Sequence, residues 1–344
     1  MSTIIRGFFA LLLSAFVLSS LLFCEVAADD LPEVPAGAFN FVAMPDTQQY
    51  SESKPEVFHA LTQWIVDNLE SQQIKFVSHV GDIVDDLEVA QWEVARAAMD
   101  RLHGKVPYGI SVGNHDMTAT DTSMFQQYFP ASRFEGFDWY GGNHENNTCS
   151  SQLFSAAGKD YLVVHLPCNA PDTALAWADG VLNRYPERKA IVSTHMYLGP
   201  IKKPSNSREF YTLPRGRMQW KKRFGEAGNT PQQMWEKCFR NHKNLVLILC
   251  GDQSRTQALH QTVRGRHGNT VHEALSDYRD GYLRLYTFMP DNKTIRVTTY
   301  SPYLDKICRG TKIAPDAGEH VFTLRPLPKE TPAAVGAGVS MAHE

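Results

Sequence analysis

Short apolar runs recur along this chain, and most alternate with segments whose apolar positions fall three or four apart. "FNFVAM" (39–44) precedes a stretch from about Pro55 to Leu69 in which Val57, Leu61, Ile65 and Leu69 share one helical face. Pro55 suits the first turn of that helix, where a missing amide proton costs nothing. "KFVSHV" follows, then a predicted helix near Glu88 to Leu102, then "PYGISV". "DYLVVHL", a helix near Thr173 to Tyr185 and "KAIVST" repeat the scheme, and a helix near Pro231 to Phe239 leads to "LVLILC". This alternation predicts a layered α/β fold with at least partly parallel strands. In the last third, "GYLRLYTF", the turn "MPDNK" and "TIRVTTY" read as a hairpin, which makes the sheet content mixed.

The two ends of the chain break the pattern. Arg6 precedes the uncharged run "GFFALLLSAFVLSSLLF", and small residues follow before an expected cut near Ala28. Residues 1–28 read as a secretory signal peptide, with an uncleaved N-terminal anchor as the alternative. Residues 326–344 are rich in Pro, Ala and Gly without periodicity and are expected to be disordered, leaving one domain over 38–325. The 344 residues are 43% hydrophobic and 21% charged, with a net charge of −3, so nothing global points to nucleic acid or a membrane surface. Five cysteines remain after the cut. Cys250 sits in an aliphatic strand and reads as a buried thiol; one or two disulfides among the others are compatible with export.

The chemistry collects where strands end. "FNFVAM" runs into Pro45-Asp46-Thr47-Gln48, "KFVSHV" into Gly81-Asp82-Ile83-Val84-Asp85, and "PYGISV" into Gly113-Asn114-His115-Asp116. "KAIVST" is followed by His195, and "LVLILC" by Gly251-Asp252-Gln253-Ser254. In open α/β sheets, groups at the carboxyl ends of neighbouring strands converge in one crevice. Here they are oxygen and imidazole donors, the ligand types of divalent cations. Glycine before the carboxylate lets a rigid strand turn sharply and deliver its side chain close to its neighbours. Any one of these endings alone is an ordinary turn; the argument rests on their conjunction.

In these residues the sequence resembles the calcineurin-like metallophosphoesterases, whose pattern runs D-x-H, G-D-x-x-D, G-N-H-D/E, a lone His, and G-H-x-H. The resemblance covers about residues 38–305, with "GDIVD", "GNHD" and "STHMYL" as its strongest parts. It implies a four-layer α-β-β-α sandwich, two mixed β-sheets flanked by helices. It also implies a role for each matching position. Asp82 would bridge two metals, Asp46 would hold the first, and Asn114 and His195 the second. His115 would protonate the leaving oxygen or position the phosphate, and Asp116 would orient His115. Two cations a few Å apart would clamp a phosphate and activate water.

Two elements depart from that pattern. Gln48 stands where D-x-H has histidine, and Asp252 and Ser254 stand where G-H-x-H has its two. The expected centre is one or two divalent ions of the Mn, Mg, Fe or Zn type, with Mn favoured by so many oxygen donors. Asp252 completes the second site, and Gln48 and Ser254 give the first only weak neutral donors, so the second site is expected to bind more tightly. Residues 202–223 hold eight Lys/Arg and one acid, Glu209. They form either a solvated loop or one that overhangs the crevice and binds an anion, with Lys202, Lys203 and Arg208 as candidate contacts. Arg255 either adds a fixed positive charge at the first site or points away from it. The expected function is an exported metal-dependent phosphoesterase acting on a phosphate mono- or diester. The alternative is a catalytically impaired phosphate-binding protein that keeps the fold and one metal. No G-x-S-x-G elbow supports a serine hydrolase.

Overall fold

The computed structural model describes residues 30–328. The apolar N-terminal run and its expected cut lie outside the described residues, as does the tail from 329 onward. Residues 326–328, expected to open a disordered tail, are instead held against the fold. The Leu327 amide donates to Thr270 Oγ1 at 3.0 Å, and Arg264 donates to the Pro328 carbonyl at 2.5 Å.

The strands in chain order are β1 (Phe39–Met44), β2 (Ile74–His79), β3 (Tyr108–Ile110), β4 (Tyr140–His144), β5 (Cys149–Ala156), β6 (Lys159–His165), β7 (Lys189–Ser193), β8 (Leu198–Pro200), β9 (Arg215–Arg217), β10 (Leu245–Cys250), β11 (Ala258–Arg264), β12 (Thr270–Ser276), β13 (Leu283–Phe288), β14 (Ile295–Ser301), β15 (Lys306–Ile307) and β16 (Val321–Leu324). One sheet has the order β15-β14-β13-β1-β2-β3, with β16 also on β14; the other runs β11-β12-β10-β7-β6-β5-β4. Each has a parallel centre, β1-β2-β3 in the first and β12-β10-β7-β6 in the second. Antiparallel strands flank these centres, so both sheets are mixed. β13 and β14 form the expected hairpin.

Period-two burial on both faces packs the sheets together. Phe41 and Ala43 of β1 face inward with Val163 of β6 and Leu247 and Leu249 of β10, and form the core between the sheets. Their neighbours Val42 and Met44 face outward onto helices α2 (Pro55–Asp67) and α3 (Val89–Asp100). Leu162 and Val164 face outward onto α5 (Asp172–Arg184), and Ile248 onto α7 (Pro231–Lys237), numbered after the short α1 (Gln48–Ser53), α4 (Ser123–Tyr128) and α6 (Glu209–Thr212). This is the expected α-β-β-α sandwich. An aromatic ladder crosses its middle, with Phe41 on Phe76 at 5.1 Å, Phe76 on Phe154 at 5.2 Å and Phe154 on Tyr161 at 4.9 Å. The five described cysteines are all free and buried. No disulfide forms among them, because each thiol is part of a hydrophobic cluster rather than near a partner.

Two polar bridges tie the sheets together near the ends of the central strands. Ser111 donates to Ser193 at 2.9 Å. His165 of β6 takes the Ser78 hydroxyl on Nε2 at 2.9 Å and gives Nδ1–H to Gln152 Oε1 at 2.8 Å. Both contacts suit a neutral ring. Burial pushes its pKa from the ordinary 6.5 down to about 3. The unfolded chain therefore takes up a proton below pH 6.5 that the folded chain refuses, so this histidine costs stability as pH falls and nothing above that value. In urea unfolding at pH 7.5 and pH 5, the stability gap between the native protein and a His165→Gln variant should move by about 2 kcal/mol in the variant's favour at the lower pH. A gap independent of pH would show that His165 is not a buried neutral base.

Candidate metal centre

Six side chains reach one cleft from the carboxyl ends of the parallel strands. Asp46 follows β1, Asp82 follows β2, Asn114 lies just past β3, His195 follows β7, Asp252 follows β10 and Asp277 follows β12. All six are buried. The cleft has a volume of about 410 Å³; all of these but the fully buried His195 line it, together with Gln48, His115, Lys203, Lys222, Ser254 and Arg255.

Glycine makes the close approach geometrically possible. Gly81 has φ +103°, and a Cβ there would fall 2.7 Å from His195 Nδ1. At Gly251 a Cβ would fall 2.0 Å from Asp46 Oδ1. The aspartates that follow, Asp82 (φ 51°) and Asp252 (φ 73°), are held in the left-handed region, a strain that non-glycine residues store mainly at functional sites. Hydrogen bonds maintain it. The Thr47 amide donates to the Asp82 carbonyl at 3.0 Å, and the Asp252 amide to Asp46 Oδ2 at 2.9 Å. His79 accepts the Gly81 amide at 3.2 Å and bonds Thr47 Oγ1 at 2.9 Å.

The donor atoms then identify a cation position. His195 gives Nδ1–H to the Val80 carbonyl at 3.0 Å, which turns Nε2 toward Asp82 Oδ2 at 3.1 Å and Asp252 Oδ1 at 3.4 Å. That is the tautomer a metal ligand needs. Asp46 Oδ1 is buried without a hydrogen-bond partner. Ligand atoms of Asp46, Asp82 and His195 lie within 4.8 Å of one another. Asp277 lines the same cleft and interacts with Asp46. Two carboxylates and one imidazole, with a further carboxylate close by, fit a divalent ion of the Mn, Fe or Mg type.

The electrostatics separate two halves. Burial, with Asp277 and Asp82 nearby, raises Asp46 well above the usual carboxylate range. Asp277 is pushed up to about 7, first by burial and then by Asp252 and Asp82. Asp252 is also buried, but Lys222 and His195 outweigh that and hold it at about 2. At His195, burial opposes the charged form, and the Asp82 and Asp46 carboxylates overcome it and raise the imidazole well above its usual value.

Three expectations are corrected here. The first concerns Asp116. It does not touch His115; it is fully buried and accepts the Ile83, Val84 and Gly113 amides at 2.7, 3.1 and 2.7 Å. His115 instead gives Nδ1–H to the Asp85 carbonyl at 2.6 Å, with the Asp85 carboxylate 3.6 Å away. The second concerns Asn114 and Asp252, expected ligands of the second ion. Asn114 Oδ1 receives the Lys222 ammonium at 3.1 Å, and Asp252 Oδ1 pairs with the same group. Asp46 Oδ1 stays without a partner, and Asp277 stands beside it where Gln48 and Ser254 offer only neutral donors. The third concerns the basic loop. It overhangs the cleft through Lys203, Pro204, Phe210 and Trp220, but Lys202 and Arg208 are exposed and do not line it. Arg255 does line it, with its guanidinium 4.5 Å from the ring centre of Phe210, another lining residue.

Comparison with known proteins agrees with this architecture. Residues 39–227 match the profile of the calcineurin-like phosphoesterases, and the chain belongs to that family. It is 33% identical over 293 residues to YvnB of Bacillus subtilis (strain 168), itself described as uncharacterized, covering 81% of this chain and 21% of that protein. The chain thus spans about a fifth of that relative's length. Among solved structures, it is similar to purple acid phosphatase PPD1 of yellow lupin (Lupinus luteus), with a TM-score of 0.52, 13% identity, and 86% of this chain and 55% of that chain covered. That is a likeness of fold. A 5'-nucleotidase precursor from Thermus thermophilus gives a TM-score of 0.41 at 13% identity, over 81% of this chain and 56% of that one.

Asp116 and Asp85 should respond differently to alanine. Asp116→Ala strands three buried amides and should lose about 2–4 kcal/mol in urea unfolding. Asp85→Ala keeps the carbonyl that holds His115 and should stay within about 0.5 kcal/mol of the native protein. Equal, small losses in the two variants would contradict the structural role of Asp116.

Proposed function

We propose that the protein is an exported metal-dependent phosphoesterase that hydrolyses a phosphate mono- or diester. The observation that carries this reading is the convergence of Asp46, whose Oδ1 has no partner, with Asp82 and the buried His195 Nε2 at a cleft that His115 also lines. Family membership supports it. Asp46, Asp82, His195 and Asp277 would hold a divalent ion, which supplies positive charge to phosphate oxygens and lowers the pKa of water enough for attack at neutral pH. The chain's own groups do the rest. Asp85 fixes Nδ1 of His115 as a donor, so Nε2 is the nitrogen that gives a proton to the leaving oxygen. The His115 amide donates to Asp82 Oδ1 at 2.8 Å, which ties the acid to the metal-ligating carboxylate. Lys203 and Arg255 add positive charge around the bound ester.

The rival, a phosphate binder without turnover, draws support from Lys222, whose charge neutralises the Asn114–Asp252 half of the centre. An aryl phosphate assay separates the two. Hydrolysis of p-nitrophenyl phosphate or its diester should appear with Mn²⁺ and stop with a chelator. His115→Asn should lower kcat by about 10²-fold. Phosphate binding without hydrolysis at any metal concentration would favour the binder, and unchanged turnover in His115→Asn would remove that residue from the mechanism.

Export rests on the apolar run after Arg6. Among the described residues, no helix is long and apolar enough to cross a membrane. N-terminal sequencing of the secreted protein should begin near Asp29. A mature chain that retains Phe8 to Phe23 would be anchored instead.

A further inference from the structure

We propose that Lys222 takes the place of the second metal ion, so that the centre works with one divalent cation and one ammonium. This rests on the phosphoesterase reading above. The family pattern assigns the second ion to Asp82, Asn114, His195 and the residue at Asp252. In this chain the Lys222 Nζ lies 3.1 Å from Asn114 Oδ1 and pairs with Asp252 Oδ1. Asp252 is held toward it, since Gln253 Nε2 donates to its other oxygen at 2.6 Å.

The ammonium is delivered by a built support. The main-chain amides of Lys222 and Arg223 both donate to Asn169 Oδ1, at 2.8 and 3.2 Å. Asn169 is fully buried with φ 55°, and its own amide donates to the Asn229 carbonyl at 3.0 Å. Arg223 Nε donates to the Asn114 carbonyl at 2.9 Å, and the Phe224 amide to the Ala119 carbonyl at 2.8 Å. The backbone from Lys222 to Phe224 is therefore fixed to Asn169 and Ala119, and the Arg223 side chain to the Asn114 carbonyl. A lysine extended into solvent would need none of these bonds.

An ammonium and a divalent ion cannot share these donors. A metal bound to Asn114 and Asp252 would sit about 2.0–2.2 Å from their oxygens, where the Lys222 nitrogen already lies in contact, and like charges repel there. The ammonium keeps part of the second ion's work. It offers three N–H donors and a point charge to a phosphate oxygen. It supplies no activation of water, which leaves that to the single ion at Asp46, Asp82, His195 and Asp277.

The test counts ions and asks whether they are neighbours. The native protein and Lys222→Arg, Lys222→Met and Lys222→Ala would be loaded with Mn²⁺, desalted, analysed for metal and examined by electron paramagnetic resonance, with circular dichroism melts confirming the fold. The native protein and Lys222→Arg should hold one ion with an uncoupled six-line spectrum. Lys222→Met and Lys222→Ala should hold two, a two-fold rise, with an exchange-coupled spectrum. Asp277→Asn in the native background should lose the single ion, and Asp252→Asn should not. Two coupled ions in the native protein, or one ion in folded Lys222→Met and Lys222→Ala, would overturn the proposal. The expected ion counts without hydrolysis of an aryl phosphate would instead sink the phosphoesterase reading and leave the role of Lys222 standing. No bound ion in any variant would overturn both.

Discussion

Mutual repulsion among buried carboxylates is the constraint around which this molecule is organised. Asp46, Asp82, Asp252 and Asp277 lie at one end of two packed sheets, all of them buried. Two like charges within 4.8 Å, as at Asp46 and Asp82, repel by about 3–4 kcal/mol at a protein-like dielectric. Positive charge has to meet them. Lys222 and His195 do so on one side, and the Asp252 carboxyl falls to about 2 despite its burial. On the other side His195 alone does not offset burial and the neighbouring carboxylates; Asp46 rises well above the ordinary carboxylate value, and Asp277 rises to about 7. The direction of the shifts thus maps where a further cation belongs, and unpaired Asp46 Oδ1 marks the same place.

The fold supplies the rigidity such a cluster demands. Carboxylates on mobile loops would move apart; these follow the ends of hydrogen-bonded parallel strands, and glycine at 81 and 251 brings the strand ends within contact of one another. Bridges between the sheets, Ser111 to Ser193 and Ser78 to His165, keep the two sets of strand ends in register. Asp116 serves the same purpose from below by tying the Gly81–Val84 turn to Gly113 through three amides. A carboxylate that the family pattern associates with His115 turns out to hold the backbone that carries it.

Much of this was legible in the residues, and the gaps have physical reasons. The parallel strands announce themselves because both faces are buried, so their apolar runs are continuous. Five of the six turns that bring side chains to the cleft follow such runs. The sixth, Asp277, follows β12, whose sequence "TVHEALS" hides its burial behind two polar residues. Glu273 is fully buried yet paired with Arg217 at 3.0 Å, and His272 bonds Thr262 at 2.9 Å. Strand β4, "YGGNH", is an edge strand with two glycines and no alternation. Lys222 has no local signal at all. It is one of eight cations in a loop, and what singles it out is the fit of its backbone to Asn169, 53 residues earlier in the chain.

Floor and rim of the cleft therefore follow different rules. The floor is set by strand ends and carries net negative charge, three carboxylates around one open cation position and a fourth already matched by Lys222. The rim is set by loops and carries Lys203, Arg255 and Arg279, with Phe210, Trp220 and Tyr278 between them. A phosphate dianion entering a floor with a single divalent ion would meet excess negative charge, and the rim cations offset it at longer range. They are exposed enough to be screened by salt, with a Debye length near about 8 Å at physiological ionic strength. Charge on the floor is screened far less. Ionic strength should thus weaken the rim's pull on an anionic ester while leaving the ion's grip on the floor nearly unchanged, so the two parts of one cleft can be told apart by salt alone.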